Sequence, residues 1–191
     1  MQALVSLLPE PYFQMVEKIW TELETHFGCQ HAYVRPEPHF TWQYAESYDK
    51  AYAETLDRLC SGLSTIEVQT DVITRFSDFD PVVFLRIVPN PDLLTYHQIL
   101  WEGLSPYWSK PSLLYQPGEW VPHITLSMNG ERWCDAAAVC DFLAIKDLHW
   151  SFKVEKLTML SLSDENTWGG ERDFFFGRSE TEDSGQSVSS E

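Results

Sequence analysis

The chain has 191 residues, 43% of them hydrophobic and 14% aromatic, enough apolar material for one substantial core or for two small lobes that share one. Its formal net charge of −16 comes from 29 acidic against 13 basic residues, and the basic ones nowhere gather into a cluster of four. That balance excludes a track for long DNA or RNA and disfavours an anionic membrane, although a local positive pocket for one phosphate stays open.

Residues 2–8 read as a strand closed by Pro9, with no basic leader that would suggest a signal peptide. No run approaches membrane-spanning length. From Glu10 to about His26, Phe13, Val16, Ile19, Trp20 and Leu23 recur at helical spacing. A break at Phe27-Gly28 and a loop lead to Pro38–Trp42, the opening of a strand. Tyr48 to about Leu63 is a second helix with Gly62 near its C-cap. Strands follow at 65–77 and 82–89, joined by a turn over 77–81. Pro89-Asn90-Pro91 opens a helix over Leu93–Leu104, and 105–120, with Pro106, Pro111, Pro117 and Gly118, is expected to be largely irregular. Pro122–Leu126 begins another strand, Asp135–Ile145 is a helix, 149–162 alternates as one strand, and Phe174–Phe176 belongs to a last short strand. The Ser-, Gly- and acid-rich stretch 179–191 is expected to be a disordered tail behind a single domain, 1–178. Cys29, Cys60, Cys134 and Cys140 read as free buried thiols and, with no secretory segment, place the chain in the cytoplasm.

Two short runs carry the chemistry, His39-Phe40-Thr41 and His123-Ile124-Thr125. On a strand, positions i and i+2 share a face, so each imidazole projects beside its hydroxyl while Phe40 and Ile124 turn the other way. Histidine can take or give a proton near neutrality, and threonine can donate to a nonbridging phosphate oxygen. Either motif alone has a bland structural explanation. Both have a proline in front, an apolar residue between, and a helix and a strand behind, which favours two α/β units facing one cleft.

The pair resembles the signature of the 2H phosphoesterase superfamily, which includes 2'-5' RNA ligase-like proteins and cyclic nucleotide phosphodiesterases. Its His-apolar-Thr/Ser-apolar motifs match at His39, Thr41, His123 and Thr125, and the organisation of residues 1–176 fits. The resemblance implies an α+β, bilobal, pseudo-twofold fold, with two antiparallel-rich sheets around a central cleft and helices outside. It also implies metal-independent catalysis on 2',3'-cyclic or 2'-linked phosphodiesters, with no cofactor.

Arg35 is a candidate phosphate contact, and Tyr33, Tyr115 and Trp120 are candidates for a base-stacking wall at the cleft mouth. No basic residue adjoins the second motif: Arg132 lies seven beyond Thr125 and Lys110 thirteen before His123. Metal-ligand spacings and glycine-rich phosphate loops are absent from the sequence. The expected partner is a small nucleotide or short RNA end, with no long nucleic acid and no membrane, and the chain is expected to be a monomer. A nucleotide-binding protein with little turnover and an RNA 2'-5' ligase or end-processing enzyme are the alternatives to a small-molecule phosphodiesterase.

Overall fold

The computed structural model describes residues 1–29, 37–77, 81–128, 135–162 and 168–177. They form strands β1 (Gln2–Leu7), β2 (His39–Tyr48), β3 (Ile66–Phe76), β4 (Val82–Ile87), β5 (Trp108–Pro111), β6 (His123–Met128), β7 (Ser151–Val154), β8 (Lys156–Leu162) and β9 (Trp168–Phe175). The helices are α1 (Tyr12–Phe27), α2 (Tyr52–Ser61), α3 (Pro91–Leu104) and α4 (Ala136–Ala144). All nine strands join one antiparallel sheet in the order β7-β3-β4-β6-β2-β1-β8-β9, with β5 beside the far end of β2. Two sheets were expected; one continuous sheet is found.

The sheet curls, and the chain itself requires it. β7 and β8 lie near opposite ends of the strand order yet are joined by Glu155 alone. One residue spans at most about 7 Å between its neighbours' Cα atoms, so the β7 edge must swing back to where β8 begins. Helices cover the outside: α1 packs on β6, α4 on β3 and β4, and α2 on β9 and α3. The core between helices and sheet holds Phe40, Trp42, Leu85, Leu100, Ile124 and Phe174, each almost completely buried. A small second apolar cluster, Ala3, Val5 and Leu160 with Leu7, Tyr44 and Trp168, lies apart from that core. No helix among the described residues is long and apolar enough to cross a membrane.

Helix ends follow their sequence signals. Asn90 caps α3 by accepting from the Leu93 N–H at 2.8 Å, with Pro91 in the first turn. Asp135 caps α4 through the N–H groups of Ala137 and Ala138. Gly28 ends α1 at φ 65°, a left-handed conformation that favours glycine. Gly62 ends α2 in right-handed backbone, so no glycine is required there.

Three expectations need correction. Residues 105–120 are not simply irregular: Trp108–Pro111 pairs with the C-terminal part of β2, and Leu113–Tyr115 makes one 3-10 turn. The alternating run 149–162 is two strands rather than one, because Glu155 redirects the chain between opposite ends of the sheet. Cys29 is disulfide-bonded, whereas Cys60 and Cys140 are free, and burial pushes the Cys60 thiol up to about 12. Most of the expected turn over 77–81, and the expected tail, lie outside the described residues.

The Asn90 cap also donates through Nδ2 to the Glu67 carbonyl at 3.1 Å, tying α3 to β3. Asn90→Ala should therefore cost about 1–2 kcal/mol of stability, read as a lower urea midpoint with an unchanged slope.

Candidate active site

Phe40 and Ile124 are cross-strand partners, and they alone form the bridge between β2 and β6. Antiparallel register then sets His39 across from Thr125 and Thr41 across from His123. The two imidazoles become a diagonal pair, about 7–8 Å apart at the backbone. Burial follows the alternation: Phe40 and Ile124 are buried, while His39, Thr41, His123 and Thr125 are half-buried along one open face. The bridge thus sets both motifs side by side on one face of the sheet.

The local structure repeats from motif to motif. The Pro38 and Pro122 carbonyls each accept a backbone N–H from a neighbouring strand end, Leu8 at 2.8 Å and Ile87 at 3.0 Å. Nδ1 of each histidine bonds the carbonyl two residues back, His39 to Glu37 and His123 to Val121, both at 2.7 Å. A carbonyl only accepts, so Nδ1 carries the proton and Nε2 is left to exchange one. Just past each threonine the ladder slips by one residue, skipping Trp42 in β2 and Leu126 in β6. These are β-bulges, which re-aim side chains beside active sites. At each bulge the threonine carbonyl accepts an indole N–H: Thr41 from Trp120 at 2.9 Å and Thr125 from Trp20 at 3.3 Å.

Burial holds both motif histidines below the ordinary value of 6.5, opposed by their carbonyl partners; for His39 the charge of His123 adds to the depression. Both therefore favour the neutral form at pH 7. His97 of α3, 2% exposed and stacked 3.9 Å from Trp120, is pushed down to about 4 by burial. A histidine that resists protonation when folded contributes fully above pH 6.5, and the contribution is lost as the unfolded chain takes up protons on acidification. Folding stability should fall between pH 6.5 and 4, with roughly 3 kcal/mol of the loss at His97. Urea unfolding across that range should show a flatter decline for His97→Leu.

Of the other expected site residues, Tyr115 is beside the first motif, with the Thr41 side chain close enough to act on its phenol. Trp120 is not a stacking wall at the mouth. It is 8% exposed, packed between Trp42 and His97, and supports β2 from beneath. Tyr33 and Arg35 lie outside the described residues.

Sequence reasoning missed the flank of the second motif. Arg86 of β4 is the cross-strand partner of His123, so a basic residue adjoins that motif in space although none does in sequence. Asp71 grips its guanidinium, Nε to Oδ1 at 2.9 Å and Nη2 to Oδ2 at 2.5 Å, and is held below the usual carboxylate range by that bond. Phe76 and Phe84 pack on the His123 ring, each with its centroid 5.0 Å away. The readable signal was the Xaa-Pro-His triplet, since the residue before proline is pushed to extended backbone; Glu37 and Val121 stand there. Among the described residues, no three His, Cys, Asp or Glu side chains converge as a metal site.

Two carbonyl-anchored imidazoles and two hydroxyls across one strand pair define a phosphoesterase of the two-histidine type. The profile of the 2'-5' RNA ligase superfamily matches residues 10–166, and the chain belongs to that family. It is 28% identical over 153 residues to a protein of Geobacillus kaustophilus (strain HTA426) named as a phosphoesterase, covering 75% of this chain and 81% of that one. The fold is similar to that of TT0787 from Thermus thermophilus, with TM-score 0.65 and 16% identity over 92% of this chain and 97% of the other. It is also similar to E. coli LigT in complex with 3'-AMP, with TM-score 0.63 and 16% identity over 93% and 98%.

Proposed function

We propose that the protein hydrolyses small nucleotide phosphodiesters, foremost 2',3'-cyclic phosphates, with His39 and His123 as an acid–base pair and no metal. The observation that carries this reading is the bridge at Phe40 and Ile124, with each Nδ1 tied to its own carbonyl. That arrangement leaves two Nε2 atoms for proton exchange on either side of one phosphate. One neutral imidazole takes a proton from water as the water oxygen bonds to phosphorus. The other, protonated, gives its proton to the 2' or 3' oxygen as the P–O bond breaks, leaving a phosphomonoester and a free hydroxyl. The anionic phosphate favours the second proton that burial resists.

Thr41 and Thr125 donate to nonbridging oxygens as their charge grows. Tyr115 orients Thr41 through the phenol contact. The net charge of −16 favours a small diffusing substrate over a long RNA, and LigT, similar in fold, has been crystallised with 3'-AMP.

A panel of 2',3'-cyclic nucleotides assayed with excess chelator tests the reading. Turnover should persist, and His39→Ala and His123→Ala should each lower it by roughly 10²–10⁴-fold. The wild-type pH profile should be bell-shaped, and each histidine variant should lose one limb. Folded variants that turn over normally would leave the site a binding site without catalysis; activity confined to RNA ends would move the substrate to short RNA.

A further inference from the structure

Beside the first motif lies a cavity of about 680 Å³ between β1, β8 and β9, of a size that takes a nucleoside. Two of its lining residues connect it to the catalytic pair. Leu7 is the cross-strand partner of His39, and Glu37 provides the carbonyl that anchors the His39 ring. The cavity therefore lies beside the first motif, reaching its strand partner Leu7 and its anchor residue Glu37.

Its lining combines apolar walls with one charged pair. Leu7, Leu160 and Trp168 supply apolar surface, and Gly169 and Gly170 supply bare backbone; a Cβ at Gly169 would meet nothing within 4 Å. Trp168 offers an indole for a planar ring to stack on. On β8 and β9, near the strand level of Leu7, Lys156 Nζ lies 2.5 Å from Asp173 Oδ2, and Asp173 Oδ1 accepts the Thr158 hydroxyl at 2.6 Å. Both charged side chains line the cavity with about a third of their surface open, 37% for Lys156 and 34% for Asp173. A carboxylate has about four acceptor sites and an ammonium three donors, so each keeps bonding capacity for a ligand.

We infer that this cavity is the base subsite of the reaction proposed above, and that Asp173 and Lys156 together select guanine. An acceptor and a donor side by side match one base edge. Guanine presents the N1–H and N2–H donors, which a carboxylate takes as a pair, next to the O6 acceptor, which an ammonium satisfies. Adenine turns its N1 lone pair toward the carboxylate, and cytosine its N3. Uracil has one N–H flanked by two carbonyls. Reading a base by its Watson–Crick edge while stacking its face on an aromatic ring is a general means of nucleotide discrimination. The reach also fits: strands are spaced about 4.8 Å apart, so β8 and β9 lie roughly 10–14 Å from the motif strand β2.

The test is kcat/KM for the 2',3'-cyclic phosphates of guanosine, adenosine, cytidine and uridine, in the wild type and in Asp173→Asn. The wild type should prefer guanosine by on the order of tenfold, and Asp173→Asn should erase the preference by lowering kcat/KM for guanosine toward that for adenosine. Because Asp173 also anchors Lys156 and Thr158, its melting temperature is read alongside, and quenching of tryptophan fluorescence by guanosine and adenosine monophosphates is compared in wild type and in Trp168→Leu. Guanosine monophosphate should bind more tightly to the wild type, with the quenching lost in Trp168→Leu. Equal kcat/KM for all four substrates would overturn the base subsite and leave the phosphodiesterase reading standing. Absence of turnover on all four would count against that reading instead, and the guanine subsite would then fall only if the two monophosphates bound equally.

Discussion

The site depends on one backbone bridge, the pairing of Phe40 with Ile124. It is the place where β1, β2, β8 and β9 on one side meet β3, β4, β6 and β7 on the other. Both residues are fully buried, so the hydrophobic core fixes the register there. A slip of one residue in either strand would turn its own imidazole and hydroxyl into the core and bring its central apolar residue, Phe40 or Ile124, out to water. Burial of two apolar side chains and the placement of the two histidines and two threonines are thus the same constraint seen from opposite faces of the sheet.

Around that bridge the two motifs have the same local bonds and unlike neighbours. Each has an anchored Nδ1, a proline carbonyl that accepts from a strand end, a bulge after the threonine and an indole on the threonine carbonyl. Outward from the pair, His39 meets Leu7 and His123 meets Arg86. The cation is already gripped by Asp71, in a chain that is strongly acidic overall. An anionic substrate therefore approaches against the field of the whole protein, and added salt, by screening that field, speeds its arrival.

What could be read from the sequence was whatever repeats over a few residues. The helices followed from apolar residues three and four apart, and the shared face of His39 with Thr41 from the two-residue strand period. Features set by distant partners were not legible. Arg86 reaches the second motif only through pairing of β4 with β6, 37 positions away in the chain. The bulges at Trp42 and Leu126 show only when the partner strand is counted against them. The run 149–162 has unbroken alternation, and nothing local in it shows that Glu155 sends its two halves to different neighbours. Trp120 was misplaced for a related reason: an aromatic residue close to a motif in sequence can serve as its floor as readily as its wall.

The link at Glu155 also bears on how the chain is made. β1, the earliest of the described strands in chain order, lies between β2 and β8 in the finished sheet, so one of its edges waits until residues 156–162 have emerged. Both histidine motifs exist in the nascent chain well before then, and they lack the flank that β8 and β9 complete. Until that flank arrives, β1 offers an unpaired edge to any other strand, the usual starting point for misassembly. Closure across more than 150 residues is slow compared with local pairing. The last described strands are therefore the ones that turn a chain bearing two motifs into a molecule with one site.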